Sequence, residues 1–200
     1  MLPPVLLFLA LATAQIDPLP TYDQTLYLRY PNTRWVEPGE DLLMADTHPL
    51  PHLSTHGLSH TATYLLLFLD LDVVYGRDST VILHWYQPDL LTLTHNPNPN
   101  QHPLLLPTTP EDDNTYLLPT PSPLQNASYI PPRPPSHTHH RYVYLLFDQP
   151  RTYTFPACFS HIFPPTPAAR AGFDAAQFVA AAGLGPPVAG NWFFVVSEDS

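Results

Sequence analysis

Proline fills 28 of the 200 positions, and each one fixes φ and removes a backbone donor. Punctuation that dense leaves little room for long helices. The apolar runs between the prolines and glycines are short and rich in Tyr, Phe, Val and Leu, which suit a pleated, half-buried surface. The sequence therefore predicts a mainly β fold. Its clearest strands are Thr63 to Leu71, Thr80 to Tyr86, Arg141 to Phe147 and Asn191 to Val196, the last continuous in apolar character like a sandwich-core strand. From Thr92 to Ser136 Pro, Asn, Thr and Ser dominate, and the stretch reads as an extended loop. Too little chain follows it for a second domain, so a rim or lid over a site is expected rather than a linker. One short packing helix is signalled: Asp174 caps it, Gln177 follows three residues later, Phe173 and Phe178 form a hydrophobic staple, and Gly183 stops it.

Residues 1–14 read MLPPVLLFLALATA, an apolar segment closing on Ala12-Thr13-Ala14, the small-x-small pattern that signal peptidase cuts. Residues 15–200 are then one mature domain of a secreted or secretory-pathway protein, a length that buries a full core without splitting. A buried N-terminal strand is the alternative reading of that segment. Asn126-Ala127-Ser128 is an N-glycosylation sequon, with Asn126 the acceptor. The lone Cys158 forms no intrachain disulfide, so an exported chain relies on packing; a tolerated or buried thiol is expected there rather than a nucleophile.

The formal net charge is −10 and all seven basic residues are scattered arginines, so nothing forms a stripe that would neutralise a nucleic-acid backbone. An anionic membrane surface would repel such a chain. After the leader no apolar run has spanning length, since Tyr64 to Leu69 ends in Asp70. Nucleic acid and a transmembrane segment are thus not expected. Gly-rich phosphate loops, the Gly-x-Ser-x-Gly elbow and paired Cys motifs are all missing, and no cofactor is expected. His48, His52, His56 and His60 fall every fourth residue, but Pro49, Pro51 and Gly57 interrupt any helix that would align them, so a solvated loop is expected and no metal.

Alternation along strands sends residues two apart to one face, so Asp70 can point with Asp72, His84 with Tyr86, and His140 with Tyr142. Each pair sits at the end of an apolar run, where strand termini can converge on one mouth. Two carboxylates beside two imidazoles shift one another's protonation, which suits anion binding or acid–base chemistry near neutrality.

Several segments then occur in one order: Asp70-Leu71-Asp72-Val73-Val74 with Arg77, His84-Trp85, residues 129–135 (YIPPRPP), His140-Arg141-Tyr142 with Leu145 and Gln149-Pro150, and residues 187–193 (PVAGNWF). Together, over about residues 63–195, they resemble the phosphatidylethanolamine-binding protein family, especially its fungal members. The resemblance implies an antiparallel β-sandwich with a Greek-key core, one or two short peripheral helices and a small anion pocket that takes phosphate-type groups. It puts the family's paired acids on Asp70 and Asp72, its pocket histidines on His84 and His140, and a pocket tyrosine on Tyr142. His137 and His139 do not match the motif. Leu71 and Val74 stand where the family has prolines, and Thr138 where it has glycine, so the rim of the pocket should differ.

Three functions follow from the resemblance. The first is a catalyst or auxiliary in fungal secondary-metabolite biosynthesis, such as a polyketide pathway making maleic-anhydride dimers. There Asp70, Asp72, His84 and His140 would assist coupling or cyclisation of an anionic small molecule, with a protein partner in the pathway conceivable. The second is a non-catalytic carrier of a phosphorylated or carboxylated ligand such as a phospholipid headgroup, held by the same residues and Tyr142. The third is an inhibitor of a secreted or vacuolar serine carboxypeptidase, acting through a surface loop or the segment Tyr22 to Tyr30.

Overall fold

The computed structural model describes residues 21–31, 33–75, 78–93, 115–119 and 126–197. Residues 1–14, read from the sequence as a leader, and most of the Pro-rich stretch lie outside the described residues. Among the described residues ten strands follow in chain order: β1 (Gln24–Thr25), β2 (Tyr27–Arg29), β3 (Trp35–Val36), β4 (Glu40–Leu43), β5 (His52–Thr55), β6 (Thr63–Tyr75), β7 (Asp78–Leu93), β8 (Thr115–Pro119), β9 (His139–Gln149) and β10 (Ala189–Val196). They form one curled sheet in the order β1-β10-β9-β6-β7-β8-β5-β2-β3, with β4 also on β10. The four predicted strands are the cores of β6, β7, β9 and β10. Among the described residues no helix is long and apolar enough to cross a membrane.

Continuous apolar character in β6 and β9 has a direct cause: both faces are covered. Leu66 and Phe68 of β6, with Tyr144 and Leu146 of β9, pack against Leu28, Leu53 and Leu117 from the other half of the curled sheet. Leu65, Leu67 and Leu69, with Val143 and Leu145, pack instead against Phe159, Phe173 and Phe178. These aromatics come from a 3-10 segment, Ala157–Ile162, and from α2 (Ala175–Ala181) with its flank; α1 (Pro167–Arg170) lies between. The Asp174 carboxylate accepts from the Gln177 N–H at 2.9 Å, and Phe173 meets Phe178 at 5.5 Å between ring centres. Gly183, at φ 65°, closes the helix. Its N–H donates to the Ala180 carbonyl and that of Leu184 to Val179, the paired bonds of a left-handed C-terminal cap.

Three features depart from the reading of the sequence. The stretch read as one loop from Thr92 to Ser136 contains β8, which pairs with β7 and β5. Pro119 is tolerated at its end, where a missing donor matters least. The sheet is not wholly antiparallel, because β1 and β4 both run parallel to β10. Buried Asn191 ties that junction together by donating to the Leu26 and Val36 carbonyls at 2.8 and 3.2 Å. Gly190 beside it is obligatory on packing grounds, since a Cβ there would come within 2.5 Å of the Tyr22 ring. The strands β1 to β5, of two to four residues each, are too short to show a period.

Beneath the end of the sheet runs a chain of phenols. Tyr129 Oη donates to the Thr47 carbonyl at 2.6 Å, so its oxygen accepts from Tyr30 at 3.4 Å. Tyr30 in turn accepts from Tyr144 at 3.2 Å. The fixed acceptor at Thr47 sets the direction of the whole chain. Burial lifts the Tyr30 phenol to about 12 despite the partners on either side, so it stays a donor. Replacing Tyr30 by Phe takes one of its two phenol partners from the buried Tyr144 hydroxyl and breaks the chain to Tyr129, and should destabilise the protein by about 1 kcal/mol or more. A urea-unfolding midpoint equal to that of the native chain would contradict a stabilising role for this chain of hydroxyls.

Candidate functional site

Asp70 is the last residue of β6 that lies between two strands, opposite Ile82 on β7 and Tyr142 on β9. A carboxylate in the middle of a sheet cannot reach water and must be met by a donor. That donor is His140, whose Nδ1 stands 2.9 and 3.2 Å from the two Asp70 oxygens, with both side chains buried. A carboxylate only accepts, so Nδ1 carries the proton. Burial alone would lower the His140 pKa, but the hydrogen bond and charge of Asp70, with help from Asp72, outweigh it and hold the pKa above the ordinary value.

The neighbouring carboxylate takes a different partner. Between Asp70 and Val73 the ladder with β7 loses register, and Asp72 turns its oxygens to Arg141. The Arg141 Nε and backbone N–H donate to Oδ2 at 2.8 and 2.7 Å, and Nη2 to Oδ1 at 2.7 Å. Burial would raise the Asp72 pKa, but Arg141 prevails and lowers it. On β9 Arg141 and His140 are adjacent and so address opposite faces. The expectation that Asp70 and Asp72 act as one pair therefore gives way to two separate ion pairs. The Asp72 N–H donates to Asp70 Oδ1 at 3.0 Å, which ties the two together.

His84 reaches the cluster through a bulge. Phe68 pairs with Trp85 and Leu69 with Leu83, leaving His84 as the extra residue of β7. Its ring lies edge-on to Phe68 at 5.4 Å and to Tyr142 at 5.2 Å. The bulge also overturns the pairing of His84 with Tyr86: Tyr86 faces the helices, bonded to Tyr153 at 2.8 Å and against Phe178. His84 Nδ1 stands 2.8 Å from the Ile130 carbonyl. A carbonyl has no proton to give, so Nδ1 donates and the remaining ring nitrogen, Nε2, has a lone pair whenever the ring is neutral. Burial lowers the His84 pKa, and Arg170 and His140 add to this, against the raising effect of Ile130 and Asp70.

Tyr142 completes the group, its ring 6.5 Å from that of His140. The hydroxyl is buried and faces the Asp70 carboxylate and the Arg133 backbone, outside ideal hydrogen-bond geometry. Burial and then the Asp70 charge push its pKa well up, so it stays protonated. Asp70, His84, His140 and Tyr142 thus gather at one end of β6, β7 and β9, and Asp72, though bonded to Arg141, is near enough for its charge to act on His140.

Three groups that hold the site were not singled out from the sequence. The Ile130 carbonyl, a main-chain atom, has no residue signature, and the Ile130 N–H returns a bond to the His84 carbonyl. Arg141 was legible as part of a motif but not as the partner of Asp72. Wholly buried Arg170 donates from Nε to the Ile162 carbonyl at 2.7 Å, and from Nη1 to those of Ser128 and His84 at 2.6 and 3.2 Å. The only hint of it is a single Arg among alanines. His139 points away, to Asp41 at 2.6 Å. Thr138, in the family's glycine position, folds its hydroxyl onto the Pro135 carbonyl, while His137 takes the positive φ of 61°.

The remaining residues named from the sequence lie elsewhere. Leu71 is buried on the helix side and Val74 is exposed. Asn126 donates its Nδ2, the atom a glycan would occupy, to Gln87 at 3.0 Å. Cys158 is exposed in the 3-10 segment. His52 is in β5, and His60 bonds Thr92 across to β7. No cluster of three or more His, Cys, Asp or Glu suited to a metal occurs among the described residues.

The lowered Asp72 pKa is a stability term with a definite sign. A depressed carboxyl stabilises the fold fully above its unfolded value of 3.8 and loses that contribution as pH falls through the folded value. Asp72→Asn should therefore be destabilising at neutral pH, with the gap from the native chain narrowing as the pH is taken below 3.8. Urea titrations across that range test it, and a gap independent of pH would refute it.

The family model for phosphatidylethanolamine-binding protein matches residues 32–194. "Phomoidride biosynthesis cluster protein N" of Talaromyces stipitatus is 34% identical over 174 residues, covering 82% of this chain and 79% of that one. The protein of the same name from Fungal sp. (strain ATCC 74256) is 38% identical over 148 residues, 73% of this chain and 59% of its own length. Among solved structures, a carboxypeptidase Y inhibitor in complex with its cognate proteinase superposes with a TM-score of 0.60 at 16% identity, covering 88% of this chain and 85% of that one. The phosphatidylethanolamine-binding protein of Plasmodium vivax gives 0.57 at 15% identity, covering 92% of each chain. With a match across most of its length and the family's residues gathered at one end of its sheet, the chain belongs to the phosphatidylethanolamine-binding protein family.

Proposed function

We propose that this chain serves fungal secondary-metabolite biosynthesis by holding a small anionic molecule against His140, His84 and Tyr142. The observation that carries the binding half of this reading is the buried Asp70–His140 pair. With Nδ1 tied to a carboxylate, a charged His140 offers its other nitrogen as a donor, and Tyr142 adds a hydroxyl. The pathway half rests on the two relatives whose names tie them to phomoidride biosynthesis clusters.

Such a site can also move protons. His84, neutral and bonded through Nδ1, offers a base, while His140 offers an acid a short distance away. Coupling or cyclisation of an acidic monomer needs both, one to generate an enolate or carbanion and one to steady the charge that develops. Export through the segment at residues 1–14 belongs to the same reading. The inhibitor reading has only a shared fold behind it, at 16% identity.

Titrating the purified protein with inorganic phosphate, followed by NMR, should give saturable shifts that His140→Ala weakens by about tenfold or more. Deleting the gene in its host should remove or reduce one acidic metabolite. Unchanged metabolites together with inhibition of a serine carboxypeptidase would overturn the proposal. Protein recovered from the medium should begin at Gln15; a chain found only inside the cells with Met1 retained would contradict export.

A further inference from the structure

Across the core from β6 and β9, the short strands of the curled sheet carry a face that the histidine cluster does not use. Leu28, Val36, Leu53 and Leu117 turn inward from β2, β3, β5 and β8, so the residues between them turn outward. Two cross-strand rows result. In one, Arg29 of β2 lies between Trp35 of β3 and His52 of β5. In the next, Ser54 of β5 lies between Tyr27 of β2 and Tyr116 of β8. The Arg29 guanidinium stands 5.9 Å over the Trp35 ring, and Tyr27 meets Trp35 edge-on at 6.4 Å and His56 at 5.2 Å. Tyr27, Arg29, Trp35 and His52 are all half-buried.

What this face lacks is an acceptor. Arg34 and Arg141 meet carboxylates, and Arg170 meets three carbonyls. Arg29 has neither an ion pair nor a hydrogen bond among the described residues, and its Nε is buried. Ser54, wholly buried two residues along β5 from His52, has a hydroxyl with no partner among them either. A buried donor without an acceptor is costly. Here two of them lie on adjacent strands beside a cation with no counter-ion, in a chain whose net charge is −10. His52 supplies no compensating charge: burial, and then the charge of Arg29, lower its pKa, so the ring is neutral at pH 7.

A guanidinium beside a hydroxyl matches the two oxygens of a carboxylate. Aromatic rings around them match a flat body continuous with that carboxylate. We propose that this face is a second binding site, for a carboxylic acid with an aromatic or conjugated body: the carboxylate accepts from Arg29 and Ser54, and the body lies against Trp35 and Tyr27. Tyr27, opposite Ser54 in the ladder, is the ring that must turn aside to admit it. The proposal does not depend on the reading given to β6, β7 and β9, because a different face and different residues carry it.

The test is an NMR titration of the native protein with trans-cinnamate at pH 7, read at the Trp35 indole and the His52 ring. Saturable shifts at both are expected, and the His52 pKa should rise as the bound anion offsets Arg29. Acetate, which has the charge without the flat body, should bind about threefold or more weakly. Cinnamamide, which has the body without the charge, should bind about tenfold or more weakly. Arg29→Gln should weaken cinnamate by about tenfold or more, and Ser54→Ala by about threefold or more without loss of stability, because it removes a hydroxyl that has no partner. His140→Ala should leave the shifts at Trp35 and His52 as they were. Cinnamate that moves His140 but neither Trp35 nor His52 overturns the proposal, and so does acetate or cinnamamide binding as tightly as cinnamate. Binding unchanged by Arg29→Gln overturns it as well. The comparison of the three ligands uses the native chain alone, so it decides the matter even if Arg29→Gln fails to fold.

Discussion

A carboxylate buried between two strands cannot stay charged without a partner, and the Asp70–His140 pair is how this sheet meets that constraint. Asp70 lies opposite Tyr142 in the ladder, so the His140 ring must lean across to it from two residues away. The lean brings His140 over Tyr142 and gives the site its charge. Removing one partner would leave the other buried and uncompensated, which is more costly than the net worth of the pair. Asp72 contributes from one step further along, bonded by its N–H to Asp70 and by its side chain to Arg141. The site therefore sits on a lattice of charge-assisted bonds that joins β6 to β9.

The other half of the site depends on irregularity. In a regular β7 ladder, His84 and Trp85 would point to opposite faces, yet both pack toward the same aromatic core through Phe68 and Tyr129. The bulge costs ladder hydrogen bonds, and what replaces them is local. Ile130 exchanges two bonds with His84, one to its carbonyl and one from its ring. Arg170 joins from the helical side and also grips Ser128. The proline-rich segment that includes Ile130 is thus stitched to the strand it covers. Its prolines suit this role, because a segment with few donors makes only the bonds the site requires.

Much of the scaffold was legible in the residues. Runs such as Tyr64 to Leu69 announced strands, and the Asp174–Gly183 signals announced α2 because capping chemistry is local. Asp70, His140 and Tyr142 were legible because simple alternation holds along β6 up to Asp70 and along β9. Where alternation fails the reading fails with it: the His84 bulge separated Tyr86 from the site, and the slip after Asp70 handed Asp72 to Arg141. Strands β1 and β4 were hidden for another reason. Their place beside β10 is set by Asn191 and by the close approach of Tyr22 to Gly190, contacts between residues far apart in the chain. Nothing in the residues marks a main-chain carbonyl such as that of Ile130 as the group that sets a histidine's tautomer.

The opposed polarity of the two imidazoles is the feature on which the proposed binding and proton transfer converge. It is read most directly from long-range proton–nitrogen correlation spectra of the histidine rings in the ligand-free protein, recorded at about pH 6.5. His84 should appear as the neutral ring protonated on Nδ1 with a bare Nε2, and His140 should have protons on both nitrogens. A His84 protonated on Nε2, or a His140 with a bare Nδ1, would contradict the arrangement at its root.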